Sequence, residues 1–217
     1  QLHLTKIATG HSASDQAETV LDHILRGSGI EGLTGIPVKR DIYIRPLLFL
    51  QRAEIEAFAA EQALDFREDG SNKDEQFKRN KIRHTLLPLL EKEFNPQITR
   101  ALNRLSTHAL EARCIIEDAA EDALSTCLHS KTSDKIVLEF KEFLAYLNSL
   151  QRLVLRRVFS LLGIDPNLLT FTRFSNIRQF LSTEETGTIQ FDELLHITKS
   201  GEYLVISKNS QSTHRIT

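Results

Sequence analysis

Apolar residues recur at helical spacing at Ala17, Val20, Leu21, Ile24 and Leu25, which predicts a helix with one buried stripe. The helix opens with the polar run Asp15, Gln16, Glu18 and Thr19, and it stops at Gly27 and Gly29, with Arg26 suiting the negative end of its dipole. Before it, Ile7-Ala8-Thr9 reads as the end of a strand leading into Gly10-His11. Residues 30–37 are a glycine- and proline-punctuated connection, and Ile42–Arg45 is a strand broken by Pro46. Arg52–Gln62 has an amphipathic pattern, with Ile55, Phe58 and Ala59 facing inward. A polar loop over residues 66–84 runs into a further helix carrying Ile82, Leu86, Leu87, Leu89, Leu90 and Phe94, which Pro88 should interrupt. Alternating strands and helices imply an α/β layer arrangement.

Asn95-Pro96 marks a change of character. Residues 97–128 are helical in pattern throughout, followed by predicted helices over Lys141–Leu162 and Pro166–Leu181. The segments "GTIQF", "LLHITKS" and "EYLVIS" alternate with period two and read as short antiparallel strands. The expected organisation is therefore an α/β part over residues 1–95 and a mainly helical part with a small β tail over 96–217.

Composition changes this picture little. Of 217 residues, 41% are hydrophobic and 26% charged, the range of ordinary globular proteins. No apolar run reaches spanning length and no signal peptide is evident, so a cytoplasmic protein without a membrane partner is expected. Cys114 and Cys127 lack metal-ligand or redox spacing and are expected to be buried free thiols. The sequence begins with Gln and contains no Met, which we read as an internal fragment.

Net charge is −2, yet residues 78–104 hold seven Lys or Arg against two acids. Lys78, Arg79, Lys81 and Arg83, followed by His84, would suit a phosphate-contacting face or, equally, a solvated helix side. His11 stands where a parallel strand would end, the usual ligand position in an open α/β sheet. Ser12, Ser14 and Asp15 can instead be explained as helix capping, which does not call for the histidine. Arg45, at a strand end, carries a weaker signal. No glycine loop of recognised phosphate-binding spacing occurs.

Taken in order, "ATGHSASDQAETVLDHILRGSGIEGLTGIP", "IRPLL…RAEIEAFA" and "FREDGSNKDEQFKRNKIRHTLLPLL" resemble the tRNA(Ile)-lysidine synthetases. The shared motifs are His-x-x-x-Asp-Gln-x-Glu-Thr, Arg-Gly-Ser-Gly, Arg-Pro-Leu, Glu-Asp-x-Ser-Asn and Arg-Asn-x-Ile-Arg-His, spread over residues 7–96. The resemblance implies a PP-loop ATP pyrophosphatase fold, of which this sequence holds the later part. It also implies ATP and Mg2+ as cofactors, with free L-lysine and tRNA(Ile) bearing a CAU anticodon as partners. In that chemistry the wobble cytidine is adenylated and lysine's amine attacks C2. By the same resemblance, His11 and Asp15 are expected on the catalytic side and Gln16, Glu18 and Arg45 on the substrate side. Arg79, Asn80, Arg83 and His84 are expected to meet ATP phosphate or tRNA. No metal ligands are assigned, and a homodimer is compatible with the resemblance. The family's Ser-Gly-Gly-x-Asp-Ser phosphate loop is absent from the sequence, so the fragment alone is expected to be inactive. The alternatives are another PP-loop tRNA-modifying enzyme, such as a cytidine thiolase, and a non-catalytic tRNA-binding module.

Overall fold

The computed structural model describes residues 5–65, 78–183, 186–193 and 195–209, and forms two compact units that part between Cys114 and Ile115. The division falls within a helix rather than at residues 95–96. The early turns of that helix give Leu102 to the first unit's core, and its last turns give Ala123, Leu124 and Cys127 to the second's.

In the first unit, β1 (Ile7–Ala8) lies parallel to β3 (Tyr43–Ile44), and β3 is antiparallel to β2 (Lys39–Arg40), in the order β1-β3-β2. The pattern had shown no strand at β2. It is set by a tight turn in which Asp41 takes φ +54°. Ile7 N–H donates to Ile42 O (2.8 Å) and Thr9 N–H to Ile44 O (3.0 Å), so Gly10 and His11 emerge at the carboxyl end of β1.

Helix α1 (Ala13–Leu25) buries Ala17, Val20 and Leu21 against Ile82, Leu87 and Leu102. Ile24 and Leu25, expected on the same stripe, are 40% and 55% exposed, because that core meets only the earlier turns. Gly27, at φ +75°, closes α1: its N–H donates to Ile24 O and Ser28 N–H to His23 O, a Schellman motif. Part of the expected connection forms a short helix, α2 (Ile30–Leu33). Helix α3 (Arg52–Glu61) buries no residue, and Phe58, expected inward, is exposed. The predicted helix over 78–94 is broken into α4 (Lys78–Lys81), a π turn (Ile82–Leu86) and α5 (Leu87–Glu93). Pro88 follows closely on the π turn in backbone that is helical on both sides (Leu86 φ −75°, ψ −49°; Leu87 φ −60°, ψ −47°), so the wider turn coincides with the carbonyls that Pro88 cannot satisfy. Of that segment's apolar set, Ile82 and Leu87 are buried, whereas Leu89 and Phe94 are exposed.

Helix α6 (Ile98–Cys127) runs through the division. The second unit continues with β4 (Leu128–Lys131), β5 (Lys135–Glu139), α7 (Phe140–Ala145), α8 (Asn148–Leu161), a 3-10 turn (Pro166–Leu168) and α9 (Phe171–Leu181). It ends with β6 (Gly187–Asp192), β7 (Leu195–Ser200) and β8 (Tyr203–Lys208). All pairs are antiparallel, in the order β4-β5-β8-β7-β6. The β part is thus a five-stranded sheet that includes an unexpected hairpin over 128–139, rather than a terminal tail.

The single helix expected over Lys141–Leu162 is split by extended backbone at Tyr146 and Leu147, where Gln151 Nε2 donates to Tyr146 O (2.7 Å). Phe143, Val158 and Phe159 from the helices pack with Ile136, Leu138, Ile197, Leu204 and Ile206 from the strands, all fully buried. Cys127 is buried, and burial pushes its thiol up to about 11; Cys114, also expected inside, is exposed. Among the described residues no helix is long and apolar enough to cross a membrane.

Candidate functional site

Asp15, Glu18 and Asp22 are spaced three and four apart, which puts three carboxylates on one face of α1. Lys78, Arg79 and Arg83, spaced along α4 and the π turn, come down onto that face. Arg83 grips Glu18 with two parallel bonds, Nε to Oε1 at 2.6 Å and Nη2 to Oε2 at 3.0 Å. Arg79 Nε donates to Glu18 Oε2 at 3.1 Å. Both arginines also reach Asp15 Oδ1 through Nη2, each at 2.8 Å. One turn further on, Lys78 Nζ lies 2.7 Å from Asp22 Oδ1 and Arg26 reaches Oδ2.

In the sequence, capping was the alternative to a site role for Asp15; the structure adds pairing with the arginines. In the structure Asp15 serves both, one oxygen for each. Its Oδ2 accepts from Ser12 N–H (2.8 Å) and from the Ser12 hydroxyl (2.9 Å), which is the carboxylate half of a capping box, while Oδ1 takes the two guanidinium groups. Burial pushes the Asp15 pKa upward. The Ser12 bonds and the charges of Arg79 and Arg83 more than offset this and hold it below the usual carboxylate value. The Glu18 bonds, against desolvation, raise the Arg83 pKa. Glu18 is only 2% exposed, so its charge is sustained by the two arginines and not by water.

This network forms one wall of a cavity of about 740 Å³ inside the first unit. Asp15, Glu18, Glu56, Asp65 and Glu91 give it an acidic lining with Arg52 and Arg83 as the cations, and Arg52 is already paired with Glu56 at 2.7 Å. Ile55, Ala59, Leu64, Leu87 and Pro88 supply an apolar side. Such a cavity suits a ligand with an ammonium group on an aliphatic stem, because the carboxylates attract the charge while the apolar side covers the methylenes. The exposure of α3 follows from the same arrangement, since Ile55 and Ala59 face the cavity instead of a core.

The other expected residues lie elsewhere. His11 is half-buried past the end of β1, with Nδ1 2.9 Å from Thr9 Oγ1, and does not line the cavity. Gln16 is buried. Its Nε2 donates to Thr34 O (3.0 Å) and Ser106 Oγ (2.7 Å), and its Oε1 accepts from Ile36 N–H (2.6 Å), tying α1 to the following loop and to α6. Gly35 serves this clasp twice: it holds φ +66°, and a Cβ there would lie 2.6 Å from Gln16 Oε1. Arg45 Nη1 donates to Pro37 O (2.7 Å). Asn80 and His84 sit beside the arginines on the same segment, and the Glu-Asp-x-Ser-Asn motif (68–72) lies outside the described residues. Sequence reasoning missed Ile55, Glu56 and Glu91. For Ile55, read as facing a core, and Glu56 the signal was an amphipathic α3 whose apolar face is too short for one; Glu91, on α5, gave none. Among the described residues no group of three or more His, Cys, Asp or Glu is placed to hold a metal ion.

Comparison with known proteins gives the chain its relatives. The family profile described as PP-loop domain matches residues 1–90. The chain is 35% identical over 187 residues to a tRNA(Ile)-lysidine synthase of Clostridium perfringens, covering 85% of this chain and 39% of that protein. To the synthase of Geobacillus kaustophilus it is 33% identical over 212 residues, 95% of this chain and 45% of that protein. To the synthase of Solibacter usitatus it is 52% identical over 98 residues, 45% of this chain and 22% of that protein. The chain therefore spans less than half the length of these curated relatives.

Proposed function

Residues 1–90 belong to the PP-loop domain family and the chain is related to the tRNA(Ile)-lysidine synthases over most of its length; from that premise we propose that the intact protein is an ATP-dependent ligase joining free L-lysine to the wobble cytidine of tRNA(Ile) with a CAU anticodon, in the cytoplasm. ATP with Mg2+ would supply activation: the C2 oxygen of that cytidine takes the adenylyl group and pyrophosphate leaves. Lysine's amine nitrogen then attacks C2 and AMP leaves. The phosphate loop of the family is not in this sequence, so the residues here account for the amine side of the reaction.

The observation that carries this reading is the acidic, half-apolar cavity on α1. Its carboxylates hold an ammonium group, and its aliphatic side covers a four-carbon stem. Asp15 is a positioning group in this scheme. A carboxylate that already accepts four hydrogen bonds, with its pKa held low, is a poor proton acceptor. His11, between the cavity-lining Gly10 and Ser12 at the end of β1, is assigned to take the amine's proton. Arg83 is committed to Glu18 and Asp15, whereas Arg79, with half its side chain exposed, still has an edge for ATP phosphate or tRNA. Asn80 and His84, on the same segment, are assigned to the same contacts. Gln16 and Arg45 support the site through the backbone. The part beyond residue 96 contributes tRNA contacts.

The test is incorporation of labelled lysine into tRNA(Ile) by the intact protein. Asp15→Asn and His11→Ala are each expected to lower incorporation by at least about 100-fold, the usual worth of a positioned acid or base. Asp15→Asn should act mainly through the KM for lysine, and His11→Ala through kcat. Full activity in both variants would refute the assignment.

A further inference from the structure

A second cavity in the first unit, of about 450 Å³, shares no lining residue with the acidic one. Ala13 and Gln16 border it, and at 100° per residue they lie on the side of α1 away from Asp15 and Glu18. Its polarity is reversed. Arg100 and Arg104, one turn apart on α6, and Arg113 further along it stand in its wall, and among the described residues no carboxylate does. Arg100 Nη1 donates to the neutral Gln97 Oε1 (3.1 Å), so its charge stays available. Phe49 and Leu110 supply apolar surface, and the Phe49 ring is 73% exposed and accessible from the cavity mouth. Asn103 Nδ2 holds Ala13 O at 3.1 Å, while its Oδ1 is buried with no hydrogen-bond partner among the described residues.

A flat apolar group, an acceptor in the wall and a fan of guanidinium groups are what an unstacked base on a phosphodiester chain requires. We propose that this cavity binds one splayed-out nucleotide of a single-stranded RNA segment, with the base on Phe49 and Leu110 and the flanking phosphates on Arg100, Arg104 and Arg113. Asn103 Oδ1 accepts from an N–H on the edge of the base. The inference rests on reading the protein as one that acts on tRNA, and it separates the two recognition tasks: amine on the acidic side of α1, RNA on the basic side.

The test uses the intact protein and a fluorescein-labelled, unstructured seven-nucleotide RNA, titrated by anisotropy at several salt concentrations, with AMP as competitor. Phe49→Ala is expected to weaken RNA binding about tenfold or more, the effect of losing one base stack. R100A/R104A is expected to flatten the log–log salt slope by about 1.4, at 0.7 for each single-strand phosphate. The urea midpoint of Phe49→Ala should stay at the wild-type value, because the ring is exposed. Wild-type affinity and salt slope in both variants would overturn the proposal. So would displacement of the RNA by AMP at equal concentration, which would assign the cavity to a free nucleotide. Lysine incorporation is measured in parallel. Incorporation together with unaltered RNA binding by the variants removes the cavity and keeps the enzyme reading, whereas weakened binding without incorporation by wild type does the reverse.

Discussion

Replacing Arg83 by Met should cost more stability than replacing Glu18 by Gln, although the two residues are partners in the same bonds. Arg83→Met leaves a carboxylate that is 2% exposed with Arg79 Nε, at 3.1 Å, as its one remaining charged donor among the described residues. Stranding a buried charge in this way costs about 3–5 kcal/mol, and we expect the lower end because Arg79 remains. Glu18→Gln leaves the opposite residue. Arg83 keeps Asp15 Oδ1 at 2.8 Å, and its side chain is 24% exposed, so water reaches the orphaned guanidinium. Its cost is then that of charged hydrogen bonds lost without a stranded ion, about 2 kcal/mol. The double variant E18Q/R83M removes both charges and should be more stable than R83M alone, which requires a coupling energy above the cost of E18Q, that is more than about 2 kcal/mol. Urea titration followed by far-UV circular dichroism measures all four proteins, the midpoints being compared at equal slope. If Arg83→Met proves no more costly than Glu18→Gln, or if the double variant is the least stable of the set, the buried-carboxylate argument is wrong.

Three further outcomes follow from particular geometry. Ala63 ends α3 in a Schellman motif at φ +47°, a conformation unfavourable for an L side chain, so Ala63→Gly should raise the urea midpoint by an amount equivalent to about 1 kcal/mol. Asp15 and Asp22 both titrate below their ordinary value of 3.8, so their contribution is present above that pH and is lost as pH falls through the folded values. The acid limb of stability between about pH 5 and 2 should therefore be shallower in Asp15→Asn. Iodoacetamide at neutral pH should label Cys114 and spare Cys127 in the native protein, as read by mass spectrometry; equal labelling would contradict the burial of Cys127.

How far these features were legible depends on the distance over which the sequence has to be read. The period of α1, its stop at Gly27 and the alternation of β7 and β8 are local, and all three appear in the structure. The hairpin over 128–139 escaped because "LHSK" has no period-two apolar pattern. Its pairing is set instead by Ile136, Val137 and Leu138 lying against Ile206, Val205 and Leu204, some seventy positions later. The break before α8 escaped because Leu144 and Leu147 fit a helical stripe, although both are exposed. At the site, the residue types were legible, but their use was not. Residues 78–104 looked like one basic run, yet Lys78, Arg79 and Arg83 neutralise α1, while Arg100 and Arg104 face a cavity with no carboxylate. Only the fold tells a basic side chain that has found its counter-charge from one still available.

That distinction explains the opening of the chain, where ten residues carry Ser, Asp, Gln, Glu and Thr on a helix with no exposed position from Ala13 to His23. A helix so enclosed would ordinarily be apolar all round. Here its core face is only the narrow stripe Ala17, Val20 and Leu21, and the rest of its circumference is divided between two polar environments of opposite sign. Asp15 and Glu18 belong to the acidic cavity and need arginines to be buried at all. Gln16, neutral, is placed between them in sequence but faces the other way, where a carboxylate would repel the phosphate that the arginines of α6 attract. Gln16→Glu therefore separates the two environments. It should leave the Asp15–Glu18–arginine network and the KM for lysine near their wild-type values while weakening RNA binding. It also sets a negative charge 2.6 Å from the Ile36 N–H, a donor it can keep, and opposite Thr34 O and Ser106 Oγ, where the Gln16 Nε2 donor is lost. A stability loss of about 1–3 kcal/mol is expected, because a carboxylate oxygen then faces the Thr34 carbonyl, which keeps only the Ser106 hydroxyl (2.8 Å) of its two side-chain donors. The outcome that would sink the argument is a Gln16→Glu protein that binds RNA as tightly as wild type but has lost its affinity for lysine, because the two faces of α1 would then not be electrostatically independent.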